Sequence, residues 1–77
     1  MLMNRLMEVN GARLRQLRRE RAWSQRDLAR HSGVSQDTIT RLETGQREAQ
    51  PRTMRRLAEA LGAEPRELMK RSSDAQH

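Results

Sequence analysis

Cysteine is absent, which excludes a disulfide staple, a thiolate nucleophile and a Cys-based zinc site in this chain of 77 residues. Phenylalanine and tyrosine are absent as well, leaving Trp23 as the only aromatic residue. No run approaches the ~20 apolar residues of a membrane span, and the opening MLMNRLMEV lacks the long apolar core of a signal peptide. No membrane partner is expected, and a cytoplasmic location follows by default. Length excludes more. A domain of this size buries only roughly 60% of its unfolded surface, too little for a deep substrate cleft beside a core. No nucleophile and base pair suggests itself, and His31 and His77 lack companion ligands. Enzyme activity, a metal and a cofactor are therefore not expected.

The chain does carry charge. Its 16 Lys plus Arg against 10 Asp plus Glu give a formal net charge of +6. Composition alone leans toward disorder, with hydrophobic and charged residues each at 34% and a mean hydropathy of −1.07. Pattern argues the other way. Apolar residues recur at helical spacing: Leu14 and Leu17, Leu28, Ile39 and Leu42, then Met54, Leu57, Ala58 and Leu61 at i, i+3, i+4, i+7. No segment alternates with period two, so short amphipathic helices packed on one another are the economical reading.

Punctuation divides the helices. Asn10 is a good N-cap, and Val9 before it can staple onto Leu14 in a helix running to about Glu20. Ser24 and Asp27 make a capping box with aspartate in the glutamate position, opening a second helix that stops at Gly33. Ser35 caps a third through about Glu43, with Gly45 as its stop and Asp37 near its positive end. Pro51 suits a first helical residue, Gly62 ends that fourth helix, and Pro65 opens a fifth through Met69. The expectation is an all-α, five-helix domain over residues 10–70, preceded by an apolar arm over 1–9 and followed by a polar tail over 71–77. Met1, Met3 and Met7 with Leu2 and Leu6 give that arm its apolar character. It is either a dimer arm or sequence before the true domain.

Between Gln25 and Leu42 each spacing has a geometric reason. Ala29 lies one turn beyond Gln25, where two steeply crossing helices leave room for a methyl. Gly33 falls where a positive φ lets the chain reverse, and Ile39 and Leu42 plug the third helix into the angle between its partners. These describe a helix-turn-helix. The strings ARLRQLRRER, WSQRDLARHSGVSQDTITRLETGQ and PRTMRRLAEALGAEPREL, which span residues 12–68, closely resemble the phage-repressor-like helix-turn-helix family of transcription regulators, also called the Cro or xenobiotic-response-element family. One departure is Glu64, where the family usually places a better capping residue.

The resemblance implies a compact lambda-repressor-like fold and a role for each matching residue. Gln25 would bond a phosphate from the start of the second helix, where unpaired amides favour an anion, with Ser35 as a second phosphate contact. Gln36, Asp37, Thr40 and Arg41 would face the major groove and read base edges: Arg41 suits guanine O6 and N7, Gln36 suits adenine N6 and N7, and Asp37 either accepts from cytosine or complements the helix dipole. Gln46, Arg47 and Arg52 lie in a stretch that in relatives runs beside the DNA backbone. Arg18 would pair, largely buried, with Glu43. The remaining arginines of the first helix, Arg13, Arg15, Arg19 and Arg21, read as a solvated face, and Trp23 as a core residue. The expected seam for a homodimer is the fifth helix around Leu68 and Met69.

The implied function is sequence-specific regulation of transcription, with repression by a homodimer on a palindromic operator in double-stranded DNA, in the cytoplasm with the nucleoid. Alternatives on the same fold are an antitoxin that also holds a toxin, a controller of a restriction-modification operon, an activator that touches polymerase, and a protein-binding adaptor that does not read DNA.

Overall fold

The computed structural model describes residues 6–70. Its helices are α1 (Gly11–Glu20), α2 (Gln25–Ser32), α3 (Gln36–Thr44) and α4 (Pro51–Leu61). Local chemistry sets their limits. The Asn10 side chain accepts the Arg13 N–H at 3.1 Å. At α2 the Ser24 hydroxyl accepts the Asp27 N–H at 3.0 Å while the Asp27 carboxylate accepts the Ser24 N–H at 2.9 Å. That backbone bond is the main reason the Asp27 carboxyl titrates below its ordinary range. Ser35 accepts the Thr38 N–H at 3.2 Å to open α3. Gly33 and Gly62 close α2 and α4 in the left-handed region, at φ 78° and 68°.

Leu14, Leu28, Ile39, Leu42, Met54, Leu57 and Leu68 are fully enclosed, and Val9 and Leu61 join them. One apolar cluster thus draws a side chain from every helix. Helix α2 packs on α3 and on α4, while α1 packs on α3. The last approach is close enough that a Cβ on Gly11 would overlap the Leu42 carbonyl oxygen. Between α1 and α2 the chain reverses through Ala22 at φ 58°, a left-handed conformation that costs an L-residue energy.

Two expectations are corrected. The described chain is not purely helical, because β1 (Met7–Glu8) pairs antiparallel with β2 (Glu48–Ala49), Met7 opposite Ala49. Strands of two residues are too short to show alternation, and backbone bonds carry the arrangement. Val9 N–H donates to the Arg47 carbonyl at 2.7 Å on one side. On the other side Val9 bridges to Met69, and Lys70 N–H donates to the Glu8 carbonyl at 3.0 Å. Residues 7–9 are therefore threaded between the segment after α3 and the C-terminal stretch, with Val9 in the core. The rest of the expected arm, residues 1–5, and the tail from Arg71 lie outside the described residues.

The second correction concerns the fifth helix. Pro65–Leu68 is a single 3₁₀ turn, confined to four residues between the left-handed Gly62 and the extended Met69. Its Glu67 N–H donates to the Glu64 carbonyl at 2.9 Å, and the Glu67 carboxylate accepts the Glu64 N–H at 3.1 Å. Leu68 from this turn has no exposed surface. A residue wholly inside its own chain's core cannot also present a face to a second copy, so the seam expected at Leu68 is withdrawn. Met69 beside it is only half-buried.

Candidate nucleic-acid interface

Helix α3 turns Ile39 and Leu42 inward and leaves Gln36, Asp37 and Arg41 exposed. Positions 36, 37, 40 and 41 differ by one, three, four or five residues, the spacing of one helical face. The Arg41 guanidinium lies 3.2 Å from the Asp37 carboxylate, one turn away, with both side chains more than 60% exposed. An ion pair that open contributes little to stability. It leaves the Arg41 fork accessible.

Thr40 differs from its three neighbours. It is half-buried, and its hydroxyl donates to Gln25 Oε1 at 2.7 Å. Gln25 Nε2 in turn donates to Glu43 Oε1 at 3.0 Å. Glu43 receives a two-pronged bond from Arg18, Nε to Oε2 at 2.7 Å and Nη2 to Oε1 at 3.0 Å, and Arg18 Nη1 donates to the Trp23 carbonyl at 2.7 Å. One polar network therefore ties α1, the turn before α2, α2 and α3 together. Burial pushes the Glu43 carboxyl up, but the bonds from Arg18 and Gln25 and the Arg18 charge outweigh it, holding Glu43 below the ordinary carboxylate range.

Of the phosphate candidates, Ser35 caps α3, Gln46 and Arg47 follow it, Arg52 lies in the first turn of α4, and Gln25 opens α2. Gln25 is the first residue of α2, half-buried by the network. Ser35 uses its hydroxyl proton on Thr38 Oγ1 at 2.9 Å, so in this state it has only acceptor capacity left. Gln46 Nε2 donates to the Glu48 carbonyl at 2.8 Å, fixing the side chain along β2. Arg47 and Arg52 are exposed, and neither is ion-paired among the described residues.

Of the arginines read as a solvated face, Arg21 departs most. Its Nη2 and Nε donate to the Leu61 carbonyl at 2.8 and 3.2 Å, satisfying the last turn of α4 from 40 residues away. Arg13 reaches Glu67 at a loose 3.4 Å. Trp23 packs against the core, half-buried, with its ring stacked on His31 at 4.2 Å and the Arg21 guanidinium 5.2 Å from its centroid. Among the described residues no three His, Asp or Glu side chains gather as a metal site, and no helix is long and apolar enough to cross a membrane.

A family model described as a helix-turn-helix domain matches residues 11–71. The chain belongs to the phage-repressor-like helix-turn-helix family. A curated relative, the HTH-type transcriptional repressor RghR of Bacillus subtilis (strain 168), is 48% identical over 56 residues, covering 71% of this chain and 42% of RghR. The chain thus spans less than half the length of that relative. Among solved structures, the restriction-modification controller protein C.AhdI from Aeromonas hydrophila is 42% identical, with a TM-score of 0.71 over 77% of this chain and 89% of that one. A hydroxyethylphosphonate dioxygenase contains the same fold as 15% of its chain, 27% identical over 92% of this one, with a TM-score of 0.73. A helix-turn-helix domain of this form thus occurs inside an enzyme as well as in regulators, so function rests on the site and not on the fold.

Proposed function

We propose that this helix-turn-helix chain is a sequence-specific DNA-binding regulator of transcription, a repressor that binds a two-fold symmetric operator as a homodimer. The observation that carries the proposal is the face of α3: Gln36, Asp37 and Arg41 are exposed on a helix whose opposite side is locked into the core. Such a helix fits the major groove, where an arginine fork matches guanine and a glutamine amide matches adenine. Gln25 and Gln46 through their amide protons, and Arg47 and Arg52 through their guanidinium groups, supply backbone contacts that set register without carrying sequence information, and Ser35 joins them when its hydroxyl turns away from Thr38. A net charge of +6 favours the approach to a polyanion.

Likeness to RghR supports repression, and likeness to C.AhdI supports a narrower reading as the controller of a restriction-modification operon. Dimerisation follows from economy. A lone module of this size makes too few base contacts for tight discrimination, so two half-sites are needed. With Leu68 buried, the half-buried Met69 is what remains of the expected seam. Repression then comes from occupying DNA that polymerase needs.

The second reading is a protein-binding module that does not touch DNA, which the occurrence of the fold within a dioxygenase favours. Selection of bound DNA from a random pool separates the two. A single enriched palindrome is the expected result, and enrichment of nothing beyond bulk DNA contradicts the proposal.

A further inference from the structure

We infer that Thr40 does not read a base: it is a positioning residue that sets the Gln25 side-chain amide so that one particular N–H is left for the DNA backbone. The inference rests on the DNA-binding reading above and deepens it.

Glu43 fixes the direction of every bond in the network. Its carboxyl is held ionised by the two-pronged bond from Arg18, and an ionised carboxylate only accepts. The Gln25 atom 3.0 Å from it must therefore be the donor nitrogen, because the carbonyl oxygen in that place would face a carboxylate. Gln25 Oε1 then points at Thr40, and since an amide oxygen only accepts, the Thr40 hydroxyl must donate across the 2.7 Å contact. A threonine has one such proton. It is spent inside the chain, so Thr40 has none to give to a base edge. Gln25 Nε2 has two protons, of which Glu43 takes one. The other has no partner among the described residues, and Gln25 stands at the start of α2, where unpaired backbone amides already favour an anion. Glu43 and Thr40 hold the amide from its two ends, one from each side of the planar group. Removing Thr40's hydroxyl frees the oxygen end and lets the amide swing away from the pose that offers its free proton.

The test uses the whole chain and compares Thr40→Val, which keeps the shape but loses the hydroxyl, with Thr40→Ser, which keeps the hydroxyl. Affinity is measured for the selected operator, for each single-base-pair variant of it and for bulk DNA. Thr40→Val is expected to weaken all of these by a common factor of about five, the worth of one hydrogen bond. The order of base preference and the salt dependence should stay those of the parent, because no charge and no base contact is lost. Thr40→Ser should restore affinity to within about two-fold of the parent, a change well below the worth of one hydrogen bond. In a Gln25→Ala background Thr40→Val should add no further loss, as for two residues acting through one contact. A preference change confined to one base pair, additive losses, or full affinity in Thr40→Val each overturns the inference. A parent that binds no DNA contradicts the DNA-binding reading itself, a different result from a parent that binds and a Thr40→Val variant that changes what it reads.

Discussion

The Arg18 guanidinium grips the Glu43 carboxylate with two parallel bonds, 2.7 and 3.0 Å long, with side chains 10% and 2% exposed. Helix α1 is thereby pinned to the end of α3, and the candidate recognition helix takes its angle from a pair that solvent hardly reaches. Removing one member of a buried pair typically costs about 3 to 5 kcal/mol, since the other is left charged and alone. Glu43→Ala is accordingly expected to lower thermal and denaturant midpoints strongly, and a variant melting like the parent would show the pair to be dispensable.

Acid should act through the same carboxylate. Glu43 is held below the ordinary glutamate value of 4.5 in the folded chain. Its contribution to stability is therefore present above the unfolded-state value and is lost as pH falls through the folded-state one. Denaturant titrations at stepped pH should show the parent losing stability below about pH 5, and Glu43→Gln, though weaker throughout, losing less over that interval. Parallel pH profiles for the two proteins would contradict this.

Backbone geometry makes two predictions of opposite sign. In an ordinary helix Gly→Ala gains about 1 kcal/mol. At Gly11 the added methyl meets the Leu42 carbonyl oxygen, a backbone atom that can yield only if α1 and α3 separate. Gly11→Ala should destabilise by roughly 1 to 3 kcal/mol. Ala22→Gly should do the reverse, by about 0.5 to 1 kcal/mol, because glycine occupies the left-handed φ of 58° without the Cβ penalty. Equilibrium unfolding in denaturant checks both.

What the sequence made legible was the local chemistry. Ser24 with Asp27, Ser35, Gly33, Pro51 and Gly62 act within one turn of their own helices, so their partners are their neighbours in the chain. Contacts between distant segments were not readable in the same way. Nothing near Gly11 announces the Leu42 carbonyl, nothing near Arg21 announces the end of α4, and the two-residue strands lean on backbone bonds that any side chain permits. Pro65 gave the same opening signal that a full helix gives, although only four residues were available to answer it. In the candidate site the face of α3 was readable from the alternation of Ile39 and Leu42 with polar positions. Thr40 belongs to that face by spacing, but the partner of its hydroxyl, Gln25, lies on another helix and nothing near Thr40 announces it.

Leu68 and Met69 give a sharp contrast. Leu68→Glu would place a charge in the core, and it is expected to unfold the chain rather than merely separate a dimer. Met69→Glu should leave the chain folded while lowering cooperativity on DNA whose half-sites are about one turn, roughly 34 Å, apart. Circular dichroism with a binding isotherm reads both effects. Unchanged cooperativity in Met69→Glu would move the seam elsewhere on the surface.

The central claim is that α3 reads bases while its flanks hold phosphates, and parallel selections from a random DNA pool with the parent, Arg41→Ala, Gln25→Ala and Arg47→Ala test it most directly. Arg41→Ala should cost about 1 to 3 kcal/mol on the operator and relax preference chiefly at one base pair per half-site. Gln25→Ala should weaken every sequence by a similar factor with the preference intact. Arg47→Ala should do likewise while flattening the slope of log affinity against log salt by about one. If instead Arg41→Ala weakens all sequences equally and Gln25→Ala changes which base is preferred, α3 does not lie in the major groove and the account is wrong.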